Sequence, residues 1–420
     1  MSFENILLAE PIKRALIEEN YGTPTPIQRD AIPVILEGKD LIGCAQTGSG
    51  KTAAFALPVL HHMSEHPKVM QAKQCRTVVL APTRELATQV SRSFERYGKY
   101  LNLKVGIVVG GMPMPPQIKM LAEGVDVVVG TPGRMLDLMQ QRKIDFRETD
   151  HLILDEVDRM FDMGFIQDVK AIIQRIPESR QTLCFSATLD AKVGRLIQAI
   201  TKDPVQISVD PESKPAERVE QGACFIRNQD KADLVCHLIL EEEQRDPESK
   251  ILIFTATKQG ADHLMDRLRA EKIRSEAMHG DKAQRVRDRV LDKFRSGATN
   301  VLIATDVAAR GLDIKGIDLV VNYDIPKEGD TYVHRIGRTG RAGKDGRAFT
   351  LCAEFDQPAL NVVERFLGKS IDPFTDHPFH SVILCERYQT LYGGNAAAGS
   401  ASTGGLTGRR SNRRNRGLRR

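Results

Sequence analysis

Short apolar, β-branched runs alternate with longer segments of helical spacing, and the whole series occurs twice along the chain. The first set is Asp40–Ala45, Arg76–Ala81, Lys104–Gly110, Val125–Val129, His151–Leu154 and Thr182–Ser186. The second is Gly222–Ile226, Lys250–Thr255, Arg274–His279, Asn300–Thr305, Leu319–Tyr323 and Arg347–Cys352. Segments such as Phe165–Ile176 and Asp262–Ala270 lie between them, with apolar residues at helical intervals. Strands that are apolar throughout are buried on both faces, and crossover helices join them in parallel. The pattern therefore predicts an α/β fold of two tandem parallel-sheet domains, 1–208 and 218–370. Between them Val209–Glu217 has two prolines and no apolar periodicity, which reads as a linker over 209–217.

Other classes fall away quickly. The apolar runs are far shorter than the roughly 20 residues a membrane helix needs. The opening MSFENILLAE lacks the basic-then-apolar layout of a secretory leader. Seven cysteines are scattered with no C-x-x-C pair, so neither a zinc site nor a disulfide framework is indicated. The expectation is a cytoplasmic protein with no membrane contact. With no Trp and 5% aromatic residues, a carbohydrate-stacking surface is disfavoured.

Charge is unevenly placed. The chain carries +5, yet residues 393–420 alone hold seven Arg and no acid; without those seven, residues 1–392 stand at −2. A polyanion site in the body must therefore be a local patch. The pattern of strands and helices decays beyond 370, so 371–420 reads as an extension and an Arg/Gly-rich tail. From Gly393 onward Gly, Ser, Ala and Arg cannot bury enough surface to offset ordering entropy, which predicts disorder there. Arg side chains in such a tail would neutralise phosphates without reading sequence.

Residues 45–52 read AQTGSGKT, between an apolar strand and a helix. Gly48 and Gly50 let backbone N–H groups turn towards a polyphosphate, and the helix N-terminus adds partial positive charge. Lys51 can reach outer phosphates and the Thr52 hydroxyl suits Mg²⁺. Ala45 stands where the general phosphate-loop pattern has its first Gly. Taken alone, the stretch could be a Gly-rich turn with a solvated Lys.

A second cluster, LILDEVD at 152–158, sets carboxylates directly after a buried strand, at the sheet edge where ligands of open α/β folds bind. Asp155 then anchors Mg²⁺, directly or through water, and Glu156 is the candidate that polarises the attacking water. An acidic cap on the next helix is the plainer alternative.

Together these residues resemble the DEAD-box family of ATP-dependent RNA helicases, within superfamily 2. The resemblance spans about residues 3–367. GTPTPIQ (22–28), AQTGSGKT, PTRELA (82–87), Gly110-Gly111, TPGR (131–134), DEVD (155–158) and SAT (186–188) occur in order. IFTAT (253–257), HGDKAQRVR (279–287), ATDVAARGLD (304–313) and HRIGRTGR (334–341) follow in the second half. The departure is Val157, where the family name has Ala. Two extra methyl groups at a buried position can cost about 1–3 kcal/mol unless neighbours yield. The short tail resembles bacterial-type members of the family.

What the resemblance implies is specific. It predicts two RecA-like domains that bind ATP with Mg²⁺ and separate RNA strands locally, without processive travel. Nucleotide binding falls to Phe3, Gln28, Gln46, Thr47, Gly48, Ser49, Gly50, Lys51, Thr52, Gly311 and Asp313. Within that set Gln28 pairs with the adenine edge and Asp313 with the ribose. Phe3 stands where the family stacks a ring on the base, although alone it reads as a core residue. Catalysis is assigned to Lys51, Glu156 and the arginine fingers Arg338 and Arg341, and metal binding to Thr52 and Asp155. Asp158, Ser186, Thr188 and His334 couple the ATP site to the domain interface. RNA contact falls to Pro82, Thr83, Arg84, Gly111, Thr131 and Arg134, then His279, Gly280, Arg287 and Thr305. Such groups suit backbone oxygens, and so hold a strand without reading it. Partners in ribonucleoprotein assembly or RNA decay fit the same picture. Two other readings compete: a DNA-directed helicase, and a nucleotide-gated RNA clamp in which Val157 disables turnover.

Overall fold

The protein is described from a computed structural model that covers residues 2–45, 48–189, 191–209, 219–309, 316–340 and 346–393. Two parallel sheets organise it. The first contains β1 (Leu41–Cys44), β2 (Cys75–Leu80), β3 (Val105–Val108), β4 (Val125–Gly130), β5 (His151–Asp155), β6 (Gln181–Ser186) and β7 (Val205–Ser208). Its strand order is β3-β4-β2-β5-β6-β1-β7. The second contains β8 (Val219–Phe225), β9 (Ile251–Thr255), β10 (Ser275–Met278), β11 (Val301–Thr305), β12 (Leu319–Asn322) and β13 (Gly346–Cys352). Its order is β10-β11-β9-β12-β13-β8.

Continuous burial explains the continuous hydrophobicity. All six residues of β2 and all five of β5 are buried. Successive side chains point to opposite faces of the sheet. Accordingly Val79, Ile153 and Leu183 join one core cluster, while Val78, Leu152 and Cys184 join the other. The pairing is in register from Leu41 opposite Leu183 to Cys44 opposite Ser186, and from Thr77 opposite His151 to Leu80 opposite Leu154. Helices cover both faces, and the carboxyl ends of the central strands open into the loops that carry the motifs.

All twelve anticipated strands are present, within a few residues of their expected ends. The thirteenth, β7, is an addition. It is a four-residue edge strand with alternating partial burial, too short and too polar to stand out in the sequence. Asp40 positions it: the buried carboxylate accepts from Thr182 N at 2.7 Å and from Lys202 N at 2.6 Å, just before β7 begins. The helix expected over 262–270 starts earlier, at Lys258, because the Thr257 hydroxyl caps it by accepting from Gly260 N at 3.0 Å.

The extension beyond 370 is a larger difference. Residues 371–393 continue the second unit: Phe374 N donates to Ala223 O at 2.9 Å and Ala223 N donates to Asp372 O at 2.9 Å. Phe374 then lies on Phe349 with ring centroids 4.4 Å apart, and a helix Val382–Tyr392 brings Tyr388 to 5.3 Å from Phe225. Fold periodicity is absent here because the segment is held by a few aromatic contacts. The tail from 394 and most of the predicted linker, 210–217, lie outside the described residues. Among the described residues no helix is long and apolar enough to cross a membrane.

Candidate nucleotide and RNA site

The chain leaves β1 at Cys44 and turns into the glycine loop. Ala45 N donates to Ser186 O at 3.0 Å, which seats the loop on the neighbouring strand β6. Gly48 and Gly50 have φ of 88° and 92°, the left-handed region that glycine enters without strain. Gly50 is also hemmed in, since a Cβ there would stand 2.4 Å from Gln28 Nε2. Gln28 Nε2 donates to Gly50 O at 3.0 Å, Thr25 Oγ1 donates to Ser49 O at 2.7 Å, and Gln28 Oε1 accepts from Thr25 N at 2.9 Å. One segment thus grips the loop by two carbonyls. The helix Lys51–Glu65 begins immediately after it. Lys51 is buried and its Nζ donates to Ala45 O at 2.8 Å, while Thr52 sits half-buried in the first turn. Gln46 and Thr47 lie outside the described residues.

Two strands away, β5 ends at Asp155. That residue is 2% exposed, and its Oδ1 is buried with no hydrogen-bond partner among the described residues. Burial pushes the carboxyl up to about 7; the Glu156 and Asp158 carboxylates add to this, while Lys51 and Arg159 oppose it. A buried anion without a donor is costly, and a cation is the natural complement. Among the described residues no group of three or more His, Cys, Asp or Glu could enclose a metal. A cation here would take its other ligands from phosphate and water, which suits Mg²⁺ better than Ca²⁺. Thr52 and Asp155 therefore fit the metal that the sequence anticipates.

Glu156 follows in a left-handed conformation, φ 56° and ψ 57°, and starts the short helix Val157–Asp162. Val157 is 1% exposed and belongs to a core cluster with Leu154 and Met160. Asp158 faces β6: its Oδ2 accepts from Ala187 N and Thr188 N, both at 3.0 Å, and from Thr188 Oγ1 at 3.3 Å. Ser186 Oγ donates to Thr188 O at 2.7 Å and accepts from Asp158 N at 3.3 Å. Asp158, Ser186 and Thr188 are consequently one hydrogen-bonded knot.

Phe3 sits differently from a base-stacking ring. It is 4% exposed within the core, edge-on to Tyr21 at 5.9 Å, which leaves little of its face for a base. The plain packing reading of Phe3 describes this placement.

Loops after β2, β3 and β4 meet because those strands are neighbours. Thr83 caps the helix Arg84–Tyr97, its hydroxyl accepting from Leu86 N at 3.2 Å. Arg84 lies so close over Gly111, whose φ is 72°, that a Cβ there would collide with the guanidinium. Gly110 N donates to Thr131 Oγ1 at 3.4 Å, and Arg134 Nη1 donates to Met112 O at 3.1 Å. Thr83, Arg84, Gly111, Thr131 and Arg134 are thus drawn together, with Pro82 beside them.

On the second sheet, His279 and Gly280 follow β10 and Thr305 ends β11, all at its carboxyl edge. His279 and Arg287 are buried, and Gly280 borders open space. Half-buried His334 lies on the helix Gly329–Ile336 and Arg338 just beyond it. Thr339 Oγ1 donates to Ile317 O at 2.6 Å, so Arg338 lies near the start of β12, at the opposite edge. Arg341, Gly311 and Asp313 lie outside the described residues. Sequence reasoning overlooked Arg159, which is buried against Glu156; the signal was its place one helical turn after the acid.

The DEAD/DEAH box helicase family matches residues 25–196, and the helicase conserved C-terminal domain matches 230–343. The chain is 39% identical over 387 residues to the ATP-dependent rRNA helicase RRP3 of Coccidioides immitis, covering 92% of this chain and 80% of that one. To DEAD-box ATP-dependent RNA helicase 24 of Oryza sativa subsp. japonica it is 42% identical over 354 residues, covering 84% of this chain but only 46% of the longer rice protein. Its fold is similar to S. cerevisiae Dbp5 bound to RNA and ADP BeF3, with a TM-score of 0.78, 29% identity, and 89% and 95% of the two chains covered. A relative so similar over most of both chains, with both family domains in order, means that this chain belongs to the DEAD-box family of ATP-dependent RNA helicases.

Proposed function

We propose that the protein hydrolyses ATP in response to RNA and uses that cycle to separate or remodel short stretches of RNA. The observation that carries this reading is the buried Asp155 carboxylate, near the Lys51 ammonium and with an unpartnered oxygen, at the edge of a parallel sheet. Lys51 would hold the outer phosphates. Thr52 and Asp155 would hold Mg²⁺, whose chemistry when bound is to neutralise phosphate charge. Glu156 would orient a water whose oxygen bonds the γ-phosphorus as the bond to the bridging oxygen breaks, releasing ADP and phosphate. Arg338 and Arg341 would meet the charge that develops on the transferring group.

Gln28 is the adenine reader in this reading, and Gln46, Thr47, Ser49, Gly311 and Asp313 complete the nucleotide contacts. The Asp158–Ser186–Thr188 knot, with His334, would pass the state of the phosphate site to the RNA groups. Those groups are short side chains, glycines and arginines, which suit sugar and phosphate rather than bases. Two domains ending near 208 and beginning near 218, cytoplasmic action and partners in ribonucleoprotein assembly or RNA decay complete the proposal. A bacterial type rests on the short Arg-rich tail alone. The relatives described above are fungal and plant proteins.

Steady-state ATP hydrolysis with single-stranded RNA and DNA of equal length tests the substrate class. RNA is expected to raise turnover at least about tenfold over DNA, because a ribose hydroxyl can be held by such a groove and deoxyribose has none. Equal stimulation by both would favour the DNA-directed alternative. Removing residues 393–420 is expected to weaken RNA affinity at low salt and to flatten its salt dependence, since seven Arg are lost. ATP affinity should not change; an unaltered RNA salt slope would exclude a role for the tail.

A further inference from the structure

Arg159 is a buried charge with no task in the reaction described so far. Its side chain is 6% exposed and that of Glu156 is 4% exposed, and Arg159 Nη1 donates to Glu156 Oε2 at 2.5 Å. Glu156 caps a six-residue helix and Arg159 lies on its first turn, which keeps the partners close in sequence and space. Asp155 and Glu156 place two carboxylates at successive buried positions, and their mutual repulsion must be offset locally. Lys51 and Arg159 are the cations that act on Asp155. Charge balance alone, however, would be served by an ammonium. A guanidinium holds its donors rigidly in one plane, and so restrains the oxygen it binds more than a freely rotating ammonium does. That rigidity matters at Glu156, whose backbone leaves the strand for a left-handed conformation.

We propose that Arg159 is a positioning residue for ATP hydrolysis. Its grip anchors Oε2 of the Glu156 carboxylate, and so limits the directions from which Oε1 meets the attacking water. The inference rests on the reading of Glu156 as the residue that polarises that water. Misplacement of a reacting group by about 1 Å can cost about a hundredfold in rate while leaving substrate binding alone. The consequence should therefore fall on kcat and spare KM.

The test compares the parent with R159K, R159Q, E156Q and the E156Q/R159Q double variant, all as the full chain with saturating RNA. Single-turnover and steady-state ATP hydrolysis give kcat and KM, a fluorescent ATP analogue gives affinity, and thermal melting reports folding. R159Q is expected to lower kcat by about thirtyfold, with KM and analogue affinity within about twofold. R159K, which keeps the charge and loses the fork, should recover only part of that rate. The double variant should be no slower than E156Q, because Arg159 acts only through Glu156. Parental kcat in R159K would overturn the proposal, since charge alone would then suffice. A double variant slowed by the product of the single effects would also overturn it. If R159Q does not fold, the R159K comparison decides the matter alone. Parental turnover in E156Q would instead remove the assignment of Glu156, and this proposal with it.

Discussion

Glu156→Gln is expected to leave ATP bound and to lower RNA-stimulated turnover by at least about a hundredfold. The amide has nearly the shape of the carboxylate, so the short helix and the contact with Arg159 can persist while the ability to draw a proton from water is lost. Phosphate release measured with and without RNA, beside nucleotide binding, checks this. A parental protein that binds RNA and ATP but releases no phosphate would favour the nucleotide-gated clamp, in which Val157 is the disabling change. Val157 is packed within the core beside Leu154 and Met160, so its methyl groups have an apolar place to go. The acids on either side of it remain at the sheet edge, which favours the hydrolase.

Ending the chain after Ser370 is the second change with a large expected effect. It removes Phe374 from Phe349 and Tyr388 from Phe225, and strips two backbone hydrogen bonds from Ala223. Tyr388 also donates to Glu364 Oε2 at 2.6 Å, and Ile371 N donates to Glu364 Oε1 at 2.8 Å. Both donors are lost with the deleted segment, and hydrogen bonds to a charged group contribute about 1.5–3 kcal/mol each. Losing a buried aromatic costs about 3–5 kcal/mol. Since whole domains are stable by only about 5–15 kcal/mol, the second unit should lose its cooperative melting. Calorimetry of residues 1–370 against 1–393 provides the check; matching transitions would mean the extension is dispensable. Tyr388→Ala should produce a weaker version of the same defect.

The contrast between what the sequence disclosed and what it hid follows from how each part is held. Runs such as Val78–Leu80 and Leu152–Leu154 are apolar because both sides are covered, so their strand character is written into composition. Gly48, Gly50, Lys51 and Asp155 stood out equally as the residue types a phosphate site would need, and the fold places them where β1 and β5 end. Concealed features depend on single contacts between distant residues. β7 is recruited by the Asp40 carboxylate, and residues 371–393 by stacked rings, neither of which leaves a period. Phe3 shows the converse case: the motif match pointed to a ligand, while the ring lies edge-on to Tyr21 inside the core. Arg159 escaped notice because its value comes from geometry around one carboxylate rather than from a repeated pattern.

The hydrogen bond from Lys51 to the Ala45 carbonyl has a bearing on selectivity among nucleotides. An ammonium that already has a neutral acceptor will trade it only for a stronger, charged one. Adenosine or AMP, bringing no terminal phosphate to this spot, would gain nothing from the exchange. If Lys51 holds phosphate as proposed, the carbonyl would act as an internal competitor that discounts weak occupants, most strongly favouring the longest phosphate chain.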